Sequence, residues 1–127
     1  MRVHVAFTPD ETGGAPTGIV IDVIRATSTI CQALAAGYER VLCTAEVEEA
    51  RALRDELGHG VLGGERQNVL IPGFDLGNSP REYVERREGP LILTTTNGTR
   101  AIVTVRAGLL RDGREIVERP DEHALAR

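Results

Sequence analysis

The chain contains no lysine and no tryptophan, and only two phenylalanines, two tyrosines and two cysteines occur in its 127 residues. Each shortage narrows what the protein can be. With so few aromatic rings the core must be built from aliphatic side chains. Cys31 and Cys43 fall on different expected elements and lack metal-type spacing, so both are read as reduced, buried thiols. No apolar run approaches the length needed to cross a bilayer. Residues 1–7 also lack the long apolar region of a secretory signal, and a cytoplasmic placement is expected. The net charge of −4 argues against a nucleic-acid or anionic-membrane partner. Neither a glycine-lysine P-loop nor a G-x-G-x-x-G dinucleotide fingerprint occurs. His4 alternates on the first expected strand, His59 sits in a turn and His123 in a polar tail. None of the three is a good candidate catalyst.

What is present alternates between strand and helix. The patterning predicts strands at 2–7, 19–24, 40–43, 61–62 and 90–93, and helices at 27–36, 46–57 and from 98 onward. The segment 19–24 is β-branched and apolar, the pattern of a strand buried on both faces. Gly37 and Gly58 are placed as helix stops. Ser79-Pro80-Arg81-Glu82 has the form of a capping box, with a short helix expected to about Arg87. The expected fold is therefore α/β, a mostly parallel sheet with helices on both faces in three α/β/α layers. Residues 1–110 would form the domain. Residues 111–127, rich in Arg and Glu, would form a solvated, weakly structured tail.

Four polar clusters fall at strand ends, where open α/β sheets bind ligands. The first, Asp22 to Thr29, puts a carboxylate into an apolar strand, where it needs compensation from a metal ion, an arginine such as Arg25, or backbone donors. Thr27, Ser28 and Thr29 include an ordinary helix cap. In the second, Gly63-Gly64-Glu65-Arg66, the glycines allow close approach of a ligand, Glu65 suits a hard cation and Arg66 an oxyanion. The alternative is a glycine turn with a surface ion pair. The third, Gly73 to Pro80, contains Asp75, open between turn-former and metal ligand, and Asn78. The fourth is the most informative: Thr94-Thr95-Thr96-Asn97-Gly98-Thr99-Arg100 joins a strand to a helix. It offers hydroxyls, backbone N–H groups and a guanidinium to an anion at a helix start. Together the clusters suggest a site for a phosphate ester.

In this order the four motifs closely resemble the 2-phosphosulfolactate phosphatase family. The run Ile21 to Ile30, then Gly63 to Arg66, Gly73 to Pro80 and Thr94 to Ala101 carry the resemblance, which covers roughly residues 3–101. It implies a magnesium-dependent acid phosphatase acting on the phosphate monoester of a 2-hydroxy acid such as 2-phosphosulfolactate, a step toward coenzyme M. On this expectation Asp22, Glu65 and Asp75 hold Mg2+, and Arg25, Arg66 and Arg100 clamp the anionic groups. Thr27, Asn78, Thr95, Thr96, Asn97, Gly98 and Thr99 bind substrate, and Asp22 is the nucleophile if a side chain attacks. Family members continue beyond the Thr-rich motif into a second α/β half. The expected fold is thus half of a two-part phosphatase, impaired by its shortness, and a homo-oligomer is expected. The rival expectation is a non-catalytic module or remnant that binds a small phosphorylated or carboxylated ligand.

Overall fold

The computed structural model describes residues 3–11, 18–106 and 115–118. In chain order its regular elements are α1 (Ala26–Ala35), β1 (Arg40–Thr44), α2 (Val47–Leu57), β2 (Val61–Arg66), β3 (Val69–Leu70), β4 (Leu91–Thr94), α3 (Gly98–Arg106) and β5 (Glu115–Glu118). Short 3-10 turns occupy Pro9–Glu11 and Pro80–Glu82. The sheet order is β3-β2-β4-β1-β5. Central β4 runs parallel to both β1 and β2, while β3 and β5 close the edges antiparallel.

The apolar runs explain the layering. Successive strand residues face opposite sides of a sheet, so each central strand feeds two cores. Val41, Cys43, Val61, Leu91 and Leu93 pack with Ile30 and Ala33 of α1 and Ile102 of α3. Leu42, Leu62 and Ile92 pack on the other face with Ala50 and Leu53 of α2 and with Ile71 and Phe74. Helices thus cover both faces, as expected. Gly58 ends α2 in the left-handed conformation, its N–H donating to the Arg54 carbonyl.

Strand β2 is longer than the sequence pattern predicts and runs straight through both glycines. A Cβ on Gly64 would lie 1.9 Å from the Thr94 carbonyl oxygen, and one on Gly63 would lie 2.3 Å from the Tyr83 hydroxyl. These glycines therefore admit the backbone of β4 and a buried phenol, not a ligand. Gln67 and Asn68 follow with φ of 53° and 64°. Two consecutive positive φ values make the tight turn that matches strand twist, and it returns the chain into β3.

Several expectations fail for identifiable reasons. The described residues of 2–7 form no strand, and neither does 19–24. Ile19, Ile21 and Ile24 are each at least 79% exposed. Both edges of β4 are taken by β1 and β2, and the outer edge of β1 by β5. The hydroxyls of Thr27 and Ser28 also donate to the carbonyls of Asp22 and Val23, drawing the chain into a turn before α1. The helix expected to Arg87 is only the 3-10 turn, and the Ser79 hydroxyl forms no cap. Here Tyr83 decides the path: it is fully buried and its hydroxyl donates to the Gly77 carbonyl at 2.6 Å. The Glu82 carboxylate turns back to accept from the Gly77 N–H. Burial pushes the Tyr83 phenol up, the Glu82 and Tyr38 charges adding to it, so it remains a neutral donor. Cys31 is exposed rather than buried, because its position on α1 faces away from the sheet. Residues 115–118 of the expected tail are β5; the rest of 111–127 lies outside the described residues.

Two substitutions separate these roles. Tyr83→Phe removes a buried donor and should cost about 1–2 kcal/mol. Ser79→Ala should change stability by less than about 0.5 kcal/mol, as surface changes do. Urea unfolding of both variants checks the contrast. An equal loss in both would restore Ser79 as a cap.

Candidate functional site at the carboxyl ends of the parallel strands

The carboxyl ends of β1, β4 and β2 lie side by side and deliver Ala45 and Glu46, Thr94 to Arg100, and Glu65 and Arg66 to one rim of the sheet. Part of this set is a scaffold whose polar groups satisfy one another. Glu65 is 6% exposed. Its Oε1 accepts from the Thr96 amide at 2.8 Å, and its Oε2 accepts from the Thr96 hydroxyl at 3.0 Å and the Asn68 amide at 2.8 Å. The carboxylate therefore ties the β2–β3 hairpin to the loop after β4. Arg66 starts from β2, donates to the Thr94 hydroxyl of β4 and reaches the Ala45 carbonyl beyond β1 at 2.8 Å. That reach spans two strand spacings, about 9.6 Å. No carboxylate among the described residues forms an ion pair with Arg66, so its charge remains at the rim.

Thr95 and Thr99 are buried and bond reciprocally. The Thr99 amide donates to the Thr95 hydroxyl at 3.0 Å, and the Thr95 amide to the Thr99 hydroxyl at 2.7 Å. This pair starts α3. Hydroxyls expected to hold substrate are thus engaged in shaping the loop.

A second group of residues meets at that helix start without being consumed by it. A Cβ on Gly98 would lie 2.3 Å from the Ala26 Cβ and 2.5 Å from Asp22 Oδ2. Glycine is therefore what lets the beginnings of α1 and α3 touch and seats the Asp22 carboxylate against the first turn of α3. The positive end of the helix dipole favours a carboxylate there. Thr27 fixes this segment: its hydroxyl donates to the Asp22 carbonyl at 2.7 Å and accepts from the Asp22 amide. Among the described residues Asp22 makes no ion pair with Arg25, and neither side chain forms a hydrogen bond. The Asn97 side chain is exposed and likewise unpartnered among them. Arg100 lies inside α3, not in the loop, and pairs with Glu46, each about half exposed. Glu46 is not among the residues that the sequence marks as candidates; nothing local signals a partner 54 residues away.

Two expected residues stand apart. The Asp75 carboxylate accepts from the Leu62 amide at 2.8 Å, three residues back along β2 from Glu65 and so about 10 Å away. Asn78 is buried beside α1, its carbonyl accepting from the Thr29 hydroxyl, and its Oδ1 has no partner among the described residues. Among those residues no three His, Cys, Asp or Glu side chains converge as a metal cluster, so Asp22, Glu65 and Asp75 do not form one ligand set. Magnesium usually takes only one or two carboxylates, with water and substrate oxygens completing its shell. Asp22, whose oxygens are uncommitted, fits that smaller demand; Glu65 already accepts three bonds.

Glu65 has a measurable signature. Burial pushes its carboxyl up, but the Thr96 and Asn68 amides, the Thr96 hydroxyl and the Arg66 charge together hold it below its ordinary value of 4.5. A lowered folded-state value stabilises above the unfolded pKa and is lost as pH falls through the folded one. Glu65→Gln should therefore lose roughly 2 kcal/mol at neutral pH. The gap from the parent should close below pH 4.5. Thermal melts across that range check it; a gap independent of pH would remove the carboxylate's latching role.

The family model for 2-phosphosulpholactate phosphatase matches residues 6–109. A probable 2-phosphosulfolactate phosphatase of Carboxydothermus hydrogenoformans is 42% identical over 104 residues, covering 80% of this chain and 44% of that protein. One from Symbiobacterium thermophilum is 51% identical over 102 residues, covering 77% and 44%. One from Thermotoga petrophila is 46% identical over 108 residues, covering 83% and 46%. The chain thus spans less than half the length of these relatives. With the match running through all four polar clusters, the chain belongs to the 2-phosphosulpholactate phosphatase family.

Proposed function

We propose that this fold binds the phosphate monoester of a small 2-hydroxy acid, 2-phosphosulfolactate being the reference compound, at the start of α3, and contributes to its hydrolysis. The observation that carries this reading is the seating of Asp22 against Gly98, at the carboxyl ends of three parallel strands. Family membership supports the reaction class.

On this reading the phosphate lies over the first turn of α3, where backbone N–H groups and the Asn97 amide are available as donors. Arg25 and Arg100 balance its charge, with Arg66 contributing from the rim. Asp22 faces the same place and holds magnesium, which when bound supplies charge neutralisation at the phosphate. Glu65, Thr96, Thr95 and Thr99 hold the loop rigid, so the donors are positioned before substrate arrives. Phosphoryl transfer depends chiefly on such positioning and charge neutralisation.

The short span relative to the relatives favours a second reading, a module that binds the anion without turning it over. Phosphate-dependent thermal stabilisation and phosphate release from 2-phosphosulfolactate, with magnesium and with chelator, distinguish the two. Arg100→Ala should weaken phosphate binding roughly ten- to hundredfold, the loss expected for a charge-assisted hydrogen bond. Asp22→Asn should abolish the magnesium dependence of release while leaving the fold intact. Undiminished release in chelator overturns the metal's role. Unchanged phosphate affinity in Arg100→Ala overturns the site.

A further inference from the structure

Ala45 and Glu46 join β1 to α2, and their polar groups are held from several sides. The Ala45 carbonyl accepts from Arg66 at 2.8 Å and from the Thr94 hydroxyl at 3.4 Å. The Glu46 carbonyl accepts from the Thr44 hydroxyl at 3.2 Å. The Glu49 carboxylate turns back to accept from the Ala45 and Glu46 amides, at 3.1 Å each, in the capping box that starts α2. From this braced junction the Glu46 carboxylate accepts from Arg100 of α3. Two guanidinium groups, one starting on β2 and one on α3, therefore end on adjacent residues. The Arg66 end is a carbonyl and the Arg100 end is a carboxylate, so only the second can be tuned by a side-chain substitution.

We propose that Glu46 is a positioning residue of the anion site: it touches no substrate, and it holds the Arg100 guanidinium at the rim before the phosphate arrives. The proposal rests on the reading that phosphate binds at the start of α3 with Arg100 balancing its charge. An arginine free in solvent samples many rotamers, and an anion that engages it must fix them. A guanidinium already held in place costs less to engage. Glu46 takes one Nη2 bond from Arg100, and that is the only side-chain bond of Arg100 among the described residues. The other donors of the fork are thus open to an anion, which shares the arginine with Glu46 rather than displacing it. The pair is about half exposed, so solvent screens the Glu46 charge from the incoming phosphate. The holder is itself held, because the capping box and the Thr44 hydroxyl fix the backbone of Glu46.

The test is a calorimetric titration of inorganic phosphate into the 127-residue chain and four variants: Glu46→Ser, Glu46→Gln, Arg100→Ala, and Glu46→Ser combined with Arg100→Ala. Serine caps a helix well but is too short to reach Arg100, so Glu46→Ser removes the hold on the arginine while the start of α2 survives. Glutamine keeps both the reach and an acceptor oxygen. Glu46→Ser should weaken phosphate binding about two- to fivefold, the range of a half-exposed ion pair. Glu46→Gln should restore most of that loss. In the Arg100→Ala background, Glu46→Ser should change nothing further, because there is no guanidinium left to position. Equal weakening by Glu46→Ser in both backgrounds marks a merely structural role and overturns the proposal. Tighter binding in both Glu46→Ser and Glu46→Gln overturns it as well, since the carboxylate then competes with phosphate for Arg100. Unchanged affinity in Glu46→Ser beside a large loss in Arg100→Ala overturns the role of Glu46 and leaves the anion site standing. Unchanged affinity in Arg100→Ala removes the anion site itself, and the role of Glu46 with it.

Discussion

The rim of this sheet is organised around one buried carboxylate. Glu65 leaves β2 pointing at the loop after β4 and accepts from Thr96 and Asn68. Removing a carboxylate from water is unfavourable unless donors replace the lost hydration. Three donors do so, and the bonds that satisfy the charge also fix where the Thr-rich loop runs. Arg66 adds a brace across three strand ends, from Thr94 to Ala45. The beginning of α3 is set by these contacts, and Asp22, Asn97 and Arg100 take their positions from it.

A division of labour follows among residues that look alike in sequence. Thr95, Thr96, Thr99 and Glu65 spend their hydrogen-bonding capacity inside the protein. Asp22, Arg25 and Asn97 keep theirs uncommitted among the described residues. Such a rim is preorganised: groups available to a ligand stand on groups that cannot move. Gly98 joins the two sets, because only the absence of a side chain lets Ala26 and Asp22 pack on the first turn of α3.

Much of the fold is legible from local pattern. The aliphatic runs at 40–43 and 90–93, the amphipathic spacing of 47–57 and the glycine at position 58 produce elements within a residue of expectation. These signals are local, and burial reinforces them. The failures share a cause in competition between distant segments. Residues 19–24 read as a buried strand, but both edges of the central β4 are already paired, and the Thr27 and Ser28 hydroxyls draw the segment into a turn before α1. Ser79-Pro80-Arg81-Glu82 reads as a capped helix, but burying Tyr83 against Gly77 outweighs a single turn of helix. Glycines 63 and 64 read as room for a ligand, and the room is filled by Thr94 and Tyr83.

The sequence alone determined the α/β class, the aliphatic core, most element boundaries and the four polar clusters, because periodicity and residue chemistry are properties of short segments. Their family resemblance follows from the same short segments in order. Tertiary structure decided which polar groups are scaffold and which are free. Asp22 reaches Gly98 across more than seventy residues, Arg100 reaches Glu46 across 54, and Asp75 is drawn to the far end of β2. Such pairings depend on strand order, and strand order is set by how the whole set of apolar faces can be buried at once.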